Sequence, residues 1–514
     1  MLQRTLAYTV LGITSLLAPA HARGDITLPA LFSDHMVLQA GPAANLWGWA
    51  SPGEAISVTW GSQTQKTTAD PRGKWKLQLL NLSAGESGSL TLRGKNTVVI
   101  EDVLVGEVWL CAGQSNMAFG VGGQENKPQT LPLLRAFTEE SPGKGEPQEQ
   151  CKGSWVICTP ETLKQLSGTA YFFGKNLHDN LQQPVGLLVS AVGGTRIESW
   201  TSTEVQRSLP ELKPEFDALA EKLARYNPAA AKAAKEKQLA AFQELVEKAK
   251  AAGVRPPKPP PTEYDPRASG PGNLFNAKIA PLIPYSIRGA IWYQGEANAH
   301  SVAEGLLYSR QLPLLIQDWR KRWDQGDFPF AWVQLPKFHN PQFEGWREVR
   351  ESMRKALEVP NSGMAVMIDT GDPEKIHPNN KRETGRRLSL WALAKVYGRD
   401  LPYSGPLFSQ GKVRGSEVEV QFRHTEGGLQ ARGGEPLKGF EIAGENGVWH
   451  AASARISGES VLVSSPEVPS PKAIRYAWED LPECALWNGA GLPASPFRAD
   501  RELFVLPHDA REKK

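Results

Sequence analysis

The chain has 514 residues, more than one average domain holds, and its 40% apolar and 22% charged content is an ordinary globular balance. A formal charge of +3 with no Lys/Arg-rich run excludes a nucleic-acid binder, which needs a concentrated basic face. The 16 tryptophans either fill a large core or offer indole faces to sugar rings, and composition leaves both readings open.

Residues 1–22 read as an export signal: Arg4 is the basic start, Leu6 to Leu17 an apolar stretch, and Ala18, Ala20 and Ala22 an A-x-A-like cleavage site. That places the mature protein in the periplasm or outside the cell. The stretch is too short to span a bilayer and no other run reaches the ~20 apolar residues required. No membrane partner is expected, with a short N-terminal anchor as the alternative. Residues 23–103 read as an all-β module, sandwich or jelly-roll in type. Its strands include Ala55 to Trp60, Trp75 to Leu79 and Thr97 to Ile100, separated by turns such as Ser51-Pro52-Gly53 and Asp70-Pro71-Arg72-Gly73.

From 104 to 400 the pattern changes to α/β. Five buried-strand candidates, Val103 to Cys111, Val185 to Ala191, Ile287 to Tyr293, Phe328 to Leu335 and Met364 to Ile368, alternate with helical stretches. The helices are Thr169 to Leu181, Ala303 to Trp323, Glu344 to Glu358 and Asn379 to Tyr397, and the alternation predicts a parallel sheet covered on both faces. A helical insertion interrupts it at about 205–268. Leu212, Phe216, Leu219, Leu223 and Tyr226 share one helix face, Asn227-Pro228 starts a second helix, and Pro256 to Pro261 predicts an extended arm. The hairpin either overhangs a substrate cleft or is a surface excursion. Residues 401–514 return to β patterning, with Glu417 to Phe422 alternating cleanly. Cys151 and Cys158 are close enough in sequence to close a disulfide; Cys111 reads as a core thiol and Cys484 has no evident partner. There is no CxxC, HExxH or paired-Cys zinc spacing, so no structural or catalytic metal is expected.

In open α/β sheets ligands bind beyond the carboxyl ends of the strands. The segments at those ends here are Gly113-Gln114-Ser115-Asn116-Met117, Gly193-Gly194-Thr195, Gln294-Gly295-Glu296-Ala297-Asn298 and the run from Asp369 to His377. Together they supply a hydroxyl, flexible backbone amides, a carboxamide and an imidazole, the inventory of acyl transfer. Ser115 is the candidate nucleophile, because Gly113 lets the chain turn sharply and amides beyond it can face an oxyanion. No GxSxG elbow occurs. Among nine histidines His377 is the best base: it comes after the last strand and precedes Pro378, while His300 and His339 also lie past strand ends and remain rivals. Gly194 permits close approach of a carbonyl, and Gln294 could donate a further hydrogen bond. Glu296 could orient a neighbour, form an ion pair or be solvated.

Gly-Gln-Ser-Asn-Met at 113–117, Gly-Gly-Thr-Arg-Ile-Glu-Ser-Trp at 193–200, Trp-Tyr-Gln-Gly-Glu-Ala-Asn at 292–298 and Ile-His-Pro at 376–378 occur together and in order. With them the chain resembles the sialate O-acetylesterase family of SGNH-type hydrolases, from Leu31-Phe32-Ser33-Asp34 through the helix after His377; the insertion matches least. The resemblance implies a flavodoxin-like three-layer α/β sandwich with flanking all-β modules. It implies Ser115 as nucleophile and His377 as base, with the Ser115 and Gly194 amides and the Gln294 side chain as the oxyanion hole. Asn116, Arg196, Glu296 and Asn298 would bind substrate, and no cofactor would be needed. Such enzymes deacetylate sialic acids or plant polysaccharides such as xylan or xyloglucan, so an acetylated carbohydrate is the implied partner. The family commonly places Asp three residues before the histidine. Here Glu374 stands there, with Asp372 as rival acid and a water-supported dyad as the third option. Arg196 could pair a sialate carboxylate, or instead Glu198 or Glu296. A non-catalytic carbohydrate-binding protein and a lipase or thioesterase are the alternatives; the first leaves four strand ends with acyl-transfer groups unexplained, and the polar, Gly-rich segments favour a short acyl group over the second. Oligomeric state is not legible in the chain.

Overall fold

The computed structural model describes residues 25–254, 257, 265–434 and 436–500. The expected signal at 1–22, and all but residue 257 of the extended run at 256–261, lie outside the described residues.

Strand β1 runs unbroken over Thr97–Gly113, and residues 103–113 of it are buried. A nearly continuous apolar run is what a strand covered on both faces requires. Its first half pairs antiparallel with Ser87–Arg93 of the N-terminal sheet, and Leu104 to Gly106 pair parallel with Val37–Gln39. Its last half lies between β4 (Val185–Ala191) and β5 (Gly289–Tyr293), parallel to both. The expected module boundary at 103 therefore falls inside one strand.

Around β1 the central sheet takes the order β7–β6–β5–β1–β4–β2–β3, where β2 is Leu131–Thr138, β3 Trp155–Cys158, β6 Phe330–Gln334 and β7 Ser362–Val366. All neighbours are parallel except β3, which is antiparallel on β2. The chain leaves β1 on one side for β4 and later returns on the other as β5. That reversal opens a crevice at the carboxyl ends of these three strands. β2 and β3 extend the sheet beyond the five expected strands.

Helices cover both faces. Trp109 packs on Phe173 of α2 (Gly168–Leu181). Trp292 lies in register with Ala112, three residues from Trp109, so its indole points to the other face. There it meets Trp319 of α5 (Val302–Trp323) edge-on at 5.7 Å. α7 (Lys381–Lys395) packs beside α2, and α6 (Trp346–Lys355) beside α5. Trp109, Trp200, Trp292, Trp319, Trp332 and Trp346 are fully buried, so these indoles are core and not sugar platforms.

The insertion forms the expected hairpin of α3 (Lys213–Ala224) and α4 (Pro228–Ala251), with Asn227 capping α4 by accepting from Ala230 N–H at 3.1 Å. Leu209, Leu212 and Phe216 anchor it on Leu307 and Leu314 of α5, while α4 is almost wholly exposed. Towards the C-terminus, two four-stranded sheets and one two-stranded sheet form an all-β unit. It docks through Arg350, which donates to the Glu479 and Asp480 carbonyls, and through Gln334, which donates to Ser495 Oγ at 2.9 Å. Cys151 and Cys158 are buried free thiols, contrary to the disulfide expectation. Cys158 ends β3, whereas Cys151 lies in the field of the Glu139–Lys278 ion pair.

Candidate active site

β1 ends in a turn that only glycine fits. Gly113 has φ +145°, and a Cβ there would lie 2.1 Å from the Tyr293 carbonyl oxygen. The same carbonyl accepts from Gln114 N–H at 2.9 Å, and Ser115 then opens the single-turn α1 (Ser115–Ala118). The turn after β4 leans on the serine: a Cβ on Gly193 would lie 3.3 Å from Ser115 Cβ. Gly194, at φ +71°, faces open space. Among the described residues neither the Ser115 nor the Gly194 N–H has a protein acceptor. Two amides beside the serine are therefore free to receive a carbonyl oxygen.

This second turn is held from beneath. Val192 N–H donates to Gly113 O, and Ile197 N–H to Asn298 Oδ1 at 2.9 Å. Gln294 differs from its expected role as an open oxyanion donor. It is fully buried, and its Nε2 donates to Thr195 O at 3.1 Å and to Asn298 Oδ1 at 2.8 Å. Both amide hydrogens are engaged, so Gln294 fixes the Gly194 turn. Asn298, also fully buried, donates to both oxygens of Glu198 and has no surface for substrate.

Asn116 is likewise a structural knot and not a substrate contact. Fully buried, it donates from Nδ2 to Glu296 Oε1 and to the Ile376 carbonyl at 3.0 Å, and its Oδ1 accepts from Lys381 Nζ. The Ile376 bond fastens the loop carrying His377 to the residue after Ser115. His377 is half-buried and stacks on Phe119, four residues past Ser115, with ring centroids 5.5 Å apart. Burial and the Lys381 charge push its pKa below the usual imidazole value. Glu296 is also buried, which excludes direct contact with a sugar and raises its carboxyl above the ordinary value.

Neither expected acid reaches the imidazole. Asp372 accepts from Glu374 N–H at 3.0 Å and pairs with Lys375 at 3.6 Å, and Glu374 is exposed. Among the described residues no group, Ser115 Oγ included, hydrogen-bonds to either nitrogen of His377, so no carboxylate orients the ring. The rival histidines are tied elsewhere, His300 to Gln342 O and His339 to Asp480.

Arg196, the expected carboxylate receptor, is already held by three protein carboxylates. Its guanidinium reaches Glu304 at 2.7 Å, Glu198 at 3.1 Å and Glu215 at 3.4 Å. Glu215 comes from α3, so the insertion touches this rim directly. Burial opposes ionisation of Glu198, but the Arg196 charge and hydrogen bonds from Arg196, Asn298 and Gln311 outweigh it and lower the pKa. Burial and the neighbouring Glu198 raise Glu215. The partners at 215 and 304 lie outside the sequence expectation, and so does Lys381. The signal for Lys381 is a lysine four residues past His377, at a helix N-terminus where a cation is disfavoured.

The family model described as carbohydrate esterase, sialic acid-specific acetylesterase matches residues 105–232 and 273–391. Human sialate O-acetylesterase is 30% identical, the match covering 91% of this chain and 91% of that protein. The mouse enzyme is 29% identical over 91% of this chain and 93% of its own length. Among solved structures, a carbohydrate acetylesterase from Xanthomonas citri superposes with a TM-score of 0.78 at 33% identity, covering 92% of this chain and 99% of that one.

Proposed function

The chain belongs to the sialate O-acetylesterase family of carbohydrate esterases, and from that premise we propose that it works as a metal-independent serine esterase on uncharged acetylated sugars. It is a carboxylic ester hydrolase that removes O-acetyl groups from carbohydrates. The strand order around β1 supports a flavodoxin-like SGNH-type three-layer core. Residues 1–22 support export to the periplasm or beyond.

One observation carries the mechanism: the Gly193–Gly194 turn and the His377 loop are both fastened against the Ser115 turn, the first by close packing and the second through Asn116. His377 takes the Ser115 proton as Oγ attacks the acetyl carbonyl. The oxyanion rests on the Ser115 and Gly194 amides. Collapse breaks the bond to the sugar oxygen, which receives the proton from His377 and leaves as an alcohol. Water, deprotonated by the same imidazole, then attacks the acetyl-serine and releases acetate. Glu374 and Asp372 take no part in orienting the base.

The preference for uncharged sugars rests on Arg196. One cation among Glu198, Glu215 and Glu304 leaves an excess of negative charge beside the Gly194 turn, where a sialate carboxylate would be repelled. Acetate release from acetylated xylan, acetylated xyloglucan and O-acetyl sialic acid, compared at equal ester concentration, tests this. The neutral glycans should react at least tenfold faster; faster turnover of the sialate ester would overturn the preference.

A further inference from the structure

Beneath the serine and histidine lies a buried group of ionisable side chains that acyl transfer does not use. Lys381, the first residue of α7, is fully buried. Its Nζ donates to Asn116 Oδ1 and lies over two aromatic faces, 5.3 Å from the Tyr293 ring centroid and 5.6 Å from that of Phe119. Asn116 bridges it to the buried Glu296, whose second oxygen has no hydrogen-bond partner, and neither has Tyr293 OH. A cation at a helix N-terminus works against the helix dipole and burial adds a desolvation cost, so helix formation does not account for a lysine at this position.

Its connections do. Lys381 holds the oxygen of the Asn116 amide, Asn116 holds the Ile376 carbonyl, and the next residue is His377. Lys381 also faces the ring on which His377 stacks. The other charged groups nearby are turned away. Arg382 reaches Gln124 and Glu125, Glu383 pairs with Arg386 and Arg387, and Asp372 pairs with Lys375. Glu296 and Tyr293 are the ionisable groups facing Lys381 from β5 and the loop beyond it, and on the side of α2 its stem runs beside Gly168, where an added Cβ would lie 3.1 Å from Lys381 Cβ and Cγ.

We propose that Lys381 is a positioning residue for the esterase reaction, a buried cation that orients Asn116 and the His377 loop and whose field keeps His377 unprotonated and able to accept the serine proton. The proposal rests on the Ser115–His377 assignment above. Burial brings the ammonium pKa down to about 8, with Glu296 opposing the fall, so the charge is in place where His377 titrates. A nearby cation disfavours imidazolium, and removing it moves the histidine pKa up.

The test is the pH dependence of kcat/KM for a small aryl acetate in the full chain, measured for wild type, K381Q, K381M and K381R. K381Q keeps a donor without the charge, K381M keeps neither, and K381R keeps the charge. Having two uncharged variants means that one misfolded protein, identified by circular dichroism, does not end the experiment. The acid limb should move up by about 0.5–1 pH unit in K381Q and K381M and stay at the wild-type position in K381R. In the uncharged variants kcat should fall by about tenfold or more with KM within about threefold, because a displaced base costs turnover before binding. An unmoved acid limb in a folded uncharged variant, or an equal upward shift in K381R, overturns the proposal. S115A serves as the separate control on the nucleophile, so an inactive S115A with an unmoved K381Q limb leaves the esterase mechanism standing and removes Lys381 from it.

Discussion

Replacing Gly113 by alanine probes the geometry on which the nucleophile depends. The added Cβ would sit 2.1 Å from Tyr293 O, 2.7 Å from its carbonyl carbon and 3.0 Å from its nitrogen. Non-bonded carbons pack best at about 3.5–4.0 Å, so the ends of β1 and β5 must separate by roughly an ångström. Both strands lie in the middle of the sheet and have little freedom to move. Overpacking a tight interior costs about 1–3 kcal/mol, and a non-glycine residue at φ +145° adds about 1–3 kcal/mol of strain. The separation also breaks the 2.9 Å bond from Gln114 N–H to Tyr293 O and moves Ser115 off the Gly193 turn. A displacement of about 1 Å at a reacting atom is worth about 10²-fold in rate. G113A should therefore unfold at a clearly lower temperature by circular dichroism and, at temperatures where it is folded, release acetate about 100-fold more slowly. G194A is the internal comparison: it carries positive-φ strain but meets no atom within 4 Å, and should lose less stability. A G113A protein with wild-type melting and wild-type kcat would refute the argument that this glycine sets the serine.

S115A should abolish acetate release while leaving the melting temperature within a degree or two; more than a few per cent residual activity in a clean preparation removes Ser115 as nucleophile. E374Q and D372N should each retain activity within about threefold, since neither carboxylate touches His377, and a loss of 10³-fold or more in either would restore a triad. In the wild type, kcat/KM should fall as pH drops through the His377 pKa, with the midpoint below the ordinary ~6.5; a midpoint above that value would contradict the burial and charge that surround the ring.

How much of the molecule is legible in the chain depends on how local each signal is. β1, β4 and β5 are readable because a strand covered on both faces writes itself as an apolar run. β2 is not, because Leu131–Thr138 contains Pro132 and Arg135, and the arginine is buried with its guanidinium bonded to the Asp102 carbonyl and carboxylate and to the Pro132 carbonyl. The positions of Ser115 and His377 beyond strand ends are legible from the apolar runs that precede them. The functions of their neighbours are not, because burial depends on partners remote in sequence. Asn116 looks like a substrate contact until Lys381, 265 residues away, is seen to hold it. Arg196 looks like a free cation until Glu304 and Glu215 are in view. The missing bond from Glu374 to His377 is a matter of loop conformation, which residue type does not encode.

The unbroken course of β1 has a consequence for how the enzyme is assembled. The strand that delivers Ser115 begins among the hairpins of the N-terminal sheet and takes its alignment partly from Val37–Gln39, more than sixty positions earlier in the chain. A slip of one residue in that pairing would turn every side chain of the strand to the opposite face and present the serine turn to the wrong layer. The N-terminal sheet therefore acts as a jig for the proposed catalytic centre. Contacts this distant in sequence close slowly during folding. The onset of hydrolytic activity in a refolding chain thus marks the moment when two sheets have agreed on a common alignment.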